Sequence, residues 1–173
     1  KPTPLQITVA IFAAFFTSLL TVSAAKGPQP TICDRACWGA RNSSCSGTIS
    51  SLNRAIIHHT AGPSDYNVST INDSKARMRA TQNYHMDSRG WCDIGYHFLV
   101  DKLGNIFEAR KNSLTGMPRG AHDGVNNNSF GFTLLGYFHP NYNHEPTPAM
   151  RTALYSVIAW RMPSTWSPYG SGS

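Results

Sequence analysis

The chain has 173 residues, one domain's worth and enough to bury a sizeable core. Charged residues make up only 14%, alongside 14 glycines and 11 prolines, a balance that predicts short elements joined by long loops. The formal charge of +6 suits anionic surfaces or polymers but not nucleic acid, because no basic cluster exceeds the loose run Lys75-Ala76-Arg77-Met78-Arg79, which reads as a solvated helix face.

In chain order, Lys1 precedes an uncharged, apolar run from Ile7 to Val22. Val22-Ser23-Ala24 then has the small-x-small ending of a signal-peptidase site. The run is nearly long enough to cross a bilayer, so a retained anchor is the alternative. We take residues 1–25 as a signal peptide, which predicts export with no membrane anchor after cleavage and a charge lowered from +6 to +5. Residues 26–54 read as a Pro-containing linker and a cysteine-bearing arm, and residues 55–173 as the main domain.

Within that domain a strand is predicted over Ala55 to Thr60, ending at the turn signal Gly62-Pro63. Thr70, with Asp73 three residues later, marks a helix start, and the helix should run to about Met86. Gly95 to Val100 and Asn105 to Arg110 read as a hairpin around Asp101-Lys102-Leu103-Gly104. Ser113 to Asn128 is a long polar loop, a length that is usually functional in a compact domain. Ser129 to Phe138 is the most hydrophobic strand and should be central, and Pro148 to Met162 is a second helix with Pro148 in its first turn. This alternation predicts an α/β fold, a mixed central sheet flanked by helices.

All four cysteines, Cys33, Cys37, Cys45 and Cys92, follow the signal segment. In an exported chain an even number suggests two disulfides, with three pairings open. Cys33 and Cys37 are close enough to staple one turn, which would leave Cys45 for Cys92; a zinc cluster is the alternative, though the spacing lacks two close pairs.

The stretch Ala55 to Gly62, "AIIHHTAG", places two histidines at a strand end. Successive strand side chains point to opposite faces, so only one of His58 and His59 can aim into a given site. The same rule separates Tyr96 from His97, which should be core; His85 reads as structural, and His139 and His144, near prolines, as facing solvent.

Five motifs stand in one order: "RACWGA", "AIIHHTAG", "QNYHM", "GWCDIGYHFLVDKLGNIFEAR" and "GAHDGVNNNSFGFTLLG". Together they resemble the type-2 class of zinc-dependent N-acetylmuramoyl-L-alanine amidases, which includes the peptidoglycan recognition proteins, over roughly Ile32 to Met162. The long hairpin block makes secreted bacterial-type members look nearer than animal ones. The resemblance implies the fold of that family, a Zn²⁺ cofactor and a peptidoglycan or muropeptide partner for a monomer outside the cell. It makes His58 a zinc ligand and Tyr96 a catalytic residue that helps polarise the scissile carbonyl. His122 and Asn126 become candidates for substrate contact, on a loop that looks one residue shorter than usual and has Val125 where an aromatic is common.

Such residues suit amide hydrolysis. Zinc on three protein ligands leaves a position for water and lowers its pKa to about 7. Hydroxide then attacks the carbonyl between muramic acid and L-alanine, and a Tyr hydroxyl at the oxyanion contributes on the order of 3 kcal/mol. The resemblance places the other two ligands after the last helix, where "WRMPSTWSPYGSGS" has neither His nor Cys. The missing ligands and the lack of an initiating Met lead us to expect a C-terminally incomplete domain, inactive as it stands, from an active parent. The alternative is a recognition domain that binds peptidoglycan without cleaving it.

Overall fold

A computed structural model describes residues 26–167 apart from 123, 125, 141 and 143. The signal segment, Val125 and the last residues of the tail therefore lie outside the described residues. The arm opens with β1 (Ile32–Cys33) and a single helical turn, α1 (Arg35–Trp38). Asp34 caps that turn by accepting the Cys37 N–H at 2.8 Å, and Gly39, at φ +72°, ends it. The pairing that cysteine spacing suggested is present: Cys33–Cys37 staples the turn, and Cys45–Cys92 ties the arm to the segment before the third strand.

β2 (Arg54–His59) leads into α2 (Ile71–Asn83). Thr70 and Asp73 form a reciprocal capping box at the start of α2. The helix does not continue regularly to Met86; it widens into a π-helical turn, Tyr84–Ser88. β3 (Phe98–Val100) and β4 (Ile106–Glu108) form the predicted hairpin, whose turn is held by Asp101 Oδ1 accepting from the Leu103 and Asn105 N–H groups. β5 (Ser129–Leu134) is buried along its length, and α3 (Pro148–Arg161) starts from a Thr147 cap with Pro148 in the first turn.

The five strands form one mixed sheet in the order β1-β4-β3-β5-β2, parallel except for the β3/β4 pair. β1 was not foreseen, since two residues are too few for any periodicity to show. β5 lies inside the sheet, between β3 and β2. Side-chain alternation then divides the molecule. Phe130, Phe132 and Leu134 of β5 pack with Phe98 and Val100 under Met150, Leu154 and Val157 of α3. On the opposite face Leu99 and Phe107 pack with Trp38 of α1 and Met78 of α2. Over β5 and β2 that second face carries Gly131, Thr133, Ile56 and His58, and the loop that bears His122 lies over it.

Candidate functional site

The register that pairs His58 with Thr133 and Ile57 with Phe132 turns His58 to the loop-covered face and His59 to the α3 face. His58 Nε2 lies 2.9 Å from Nδ1 of His122, which arrives from the long β4–β5 loop. Three features seat that loop. The Ala121 N–H donates to the Gly95 carbonyl at 2.9 Å, the His122 N–H donates to Asn126 Oδ1 at 2.7 Å, and the His122 ring rests on Gly131. A Cβ at Gly131 would lie 3.0 Å from His122 Cγ, so the close approach requires glycine. Tyr96, just ahead of β3, brings its ring centroid 5.4 Å from that of His58. His58, His122 and Tyr96 therefore converge, while the Asn126 side chain braces the loop by accepting the His122 N–H.

Burial, reinforced by Tyr84, raises the Tyr96 phenol above its ordinary value, so it stays a proton-bearing donor through the neutral range. His97 is fully buried, as expected. Its Nδ1 accepts the Gly131 N–H at 2.9 Å and its Nε2 donates to the Pro118 carbonyl at 2.8 Å, which fixes the neutral ring under the loop that carries His122. Burial keeps its pKa well below the usual imidazole value.

A cleft of about 410 Å³ runs from Tyr96 along the gap between β2 and α2, with Thr60, Gly62, Asp65, Tyr84 and His85 in its walls. Sequence reasoning did not place Asp65 or His85 here. His85 sits in the π-helical turn, with its ring 4.7 Å from Trp91 and 5.4 Å from Tyr96. Its Nδ1 faces the Gly95 N–H, and burial together with Arg89 and Arg110 pushes its pKa down to about 4. A wide turn at a helix end is the kind of irregularity that accompanies functional sites, but nothing in "QNYHM" announces it. Burial raises the Asp65 carboxyl, against the lowering influence of the neighbouring Thr60 hydroxyl and of Arg77. His139 is exposed as expected, whereas His144 is half-buried, its ring stacked on Tyr66 at 4.4 Å.

The His58 and His122 nitrogens are close to the separation that two imidazoles adopt on one tetrahedral zinc, about 3.3 Å from Zn–N bonds near 2.0–2.1 Å. A hydrolytic zinc needs three protein ligands, and among the described residues no group of three His, Cys, Asp or Glu comes together to hold a metal ion. The described residues alone thus do not fit a complete hydrolytic metal centre.

With this geometry in place, a family model described as N-acetylmuramoyl-L-alanine amidase matches residues 49–166. Peptidoglycan-recognition protein SC2 of Drosophila simulans is 39% identical over 113 residues, 64% of this chain and 58% of that relative. Human peptidoglycan recognition protein 3 is 39% identical over 110 residues, 63% of this chain and 30% of the relative. The chain thus spans less than two thirds of the length of these relatives. Among solved structures, Drosophila PGRP-LB superposes with a TM-score of 0.66 at 27% identity, covering 79% of each chain. Human PGRP-IBETAC, solved with glycosamyl muramyl pentapeptide, gives 0.64 at 30% identity, covering 75% of this chain and 74% of that one.

Proposed function

The chain belongs to the N-acetylmuramoyl-L-alanine amidase family, and on that premise we propose that its cleft binds muropeptides, the pieces of peptidoglycan in which a peptide hangs from muramic acid. The observation that carries this reading is the convergence of His58, His122 and Tyr96 at one end of an open polar cleft. An extended peptide needs donors and acceptors spaced along a trough. The Tyr96 hydroxyl and the Asp65 carboxylate supply one of each. Two neighbours strengthen the reading at 30% identity: a human protein solved with glycosamyl muramyl pentapeptide, and the ectodomain complex of peptidoglycan recognition proteins LCa and LCx solved with tracheal cytotoxin. In this reading residues 55–173 are the binding unit, residues 26–54 are the arm stapled to it, and residues 1–25 direct a monomer out of the cell.

Calorimetric titration of the chain with a muramyl pentapeptide tests it. Saturable binding is expected, weakened by Tyr96→Phe and by His122→Ala; no binding, or binding indifferent to both changes, would overturn the reading.

Hydrolysis is the second reading, favoured by the family's description and by a proton-bearing Tyr96 phenol beside His58. That reading needs a Zn²⁺ that His58 would help to hold, for which the described residues bring together no set of three ligands. Metal analysis together with muropeptide digestion separates the two. Binding without cleavage is expected of this chain, and release of free stem peptide would establish the hydrolytic reading instead.

A further inference from the structure

His97 stands beneath the loop that carries His122. Its imidazole is fully buried and stacks on Phe130, with the ring centroids 3.8 Å apart. Its backbone is built into the sheet: the His97 N–H donates to the Gly131 carbonyl at 2.9 Å, and the His97 carbonyl accepts the Ala109 N–H at 3.0 Å. The two ring nitrogens face different parts of the molecule. Nδ1 accepts the Gly131 N–H, on a strand already paired with β3 and β2, whereas Nε2 donates to the Pro118 carbonyl in the loop. Two residues further on, Gly120 brings the loop backbone against both rings. A Cβ there would lie 2.7 Å from His97 Cε1 and 2.5 Å from His122 Cδ2. Phe130, His97, Gly120, His122 and His58 thus make one series of contacts from the core to the head of the cleft.

The arm grips the same stretch from the side. The Ile49 N–H donates to the Met117 carbonyl at 2.9 Å and the Arg119 N–H to the Gly47 carbonyl at 2.8 Å, so that Thr48 bridges Pro118. These bonds join loop to arm, and none of the four residues belongs to the five-stranded sheet. The His97 ring is anchored to the sheet instead, so its bond to Pro118 sets how far the loop stands above that surface. A buried carbonyl deprived of its donor is costly, and a loop relieves that cost by moving. Resting on the muropeptide reading above, we infer that His97 is a positioning residue, which through Pro118 places the His122 ring against His58 and so readies the head of the cleft for its ligand. Fully buried, it acts without touching what the cleft binds.

Two amide substitutions separate the two ring bonds. In His97→Asn the side-chain oxygen takes the place of Nδ1 and keeps the Gly131 bond; in His97→Gln the amide nitrogen reaches the place of Nε2 and keeps the Pro118 bond. Each variant gives up one bond, so both should lower the denaturant midpoint by similar amounts. Affinity for a muramyl pentapeptide should split them: about tenfold weaker for His97→Asn, and within about twofold of the unaltered chain for His97→Gln. Nitrogen NMR of the imidazoles adds a readout that needs no ligand. The His122 Nδ1 signal, set by the neighbouring His58 nitrogen, should keep its position in His97→Gln and lose it in His97→Asn. Equal changes of affinity in the two variants, an undisturbed His122 signal in His97→Asn, or failure of either variant to fold would make His97 a structural residue only and overturn the inference, with the muropeptide reading left standing. If the unaltered chain binds no muropeptide, that reading falls, and the two NMR signals alone decide whether His97 places His122.

Discussion

The two sides of β2 share a backbone and little else. One side presents His58 to His122 and Tyr96 at the end of a polar cleft. The other presents Ala55 and Ile57 to a larger groove of about 480 Å³ against α3, walled by Tyr155, Met162 and Trp166. The larger cavity is the less instructive one. Its walls are mostly apolar and Lys26 is the only cation lining it, whereas the smaller cleft presents the Tyr96 hydroxyl and the Asp65 carboxylate, groups that form directed hydrogen bonds. The face packed on α3 carries the larger apolar cluster, and the opposite face carries the converging polar side chains.

That division can be broken or sharpened by substitution. The largest effect belongs to the α3 face: Phe132→Ala, at a fully buried ring stacked on Phe98, should cost about 3–5 kcal/mol in denaturant unfolding. The affinity of the folded fraction for muropeptide should stay unchanged, and a matching loss of affinity would show that the two faces are not separable. Next comes the disulfide that bridges 47 positions. Cys45→Ser with Cys92→Ser should cost about 2–4 kcal/mol. It should also loosen Tyr96, four residues beyond Cys92, whereas opening Cys33–Cys37 should leave muropeptide titrations as they were.

On the cleft side, Gly131→Ala should displace the His122 ring and weaken muropeptide binding roughly tenfold, about 1.4 kcal/mol, with little change in unfolding. The pH dependence follows from His85. Its folded pKa lies near 4, below the usual 6.5, so between those values the unfolded chain takes up the proton and the folded one does not. Stability should be flat above pH 6.5 and fall as pH drops toward 4; His85→Gln should remove part of that slope in melting curves. Buried His97 acts with the same sign. The smallest effect is expected at Ile57, 56% exposed on the groove side: Ile57→Ser should shift unfolding by no more than about 0.5 kcal/mol and leave binding untouched.

Much of this was legible in the residues. The turn signal Gly62-Pro63 marked the end of β2, hydrophobicity placed β5, the Thr70–Asp73 pair announced α2, and Pro148 announced α3, because each signal is local. Side-chain alternation along a strand separated His58 from His59. The cleft was harder to read. Asp65 sits in a loop where no periodicity operates, and its position depends on the empty space at Gly62. His85 looked structural because a regular helix was assumed to carry it. His144 looked solvated because its partner, Tyr66, lies 78 positions away in sequence.

The π-helical turn Tyr84–Ser88 sets the angular phase of everything that follows α2. Each residue of an α-helix advances the chain by about 100°, so tightening this turn by one residue would swing the His85 ring away from Trp91 and Tyr96. A single-codon deletion here would thus leave the sheet intact and misalign one wall of the trough.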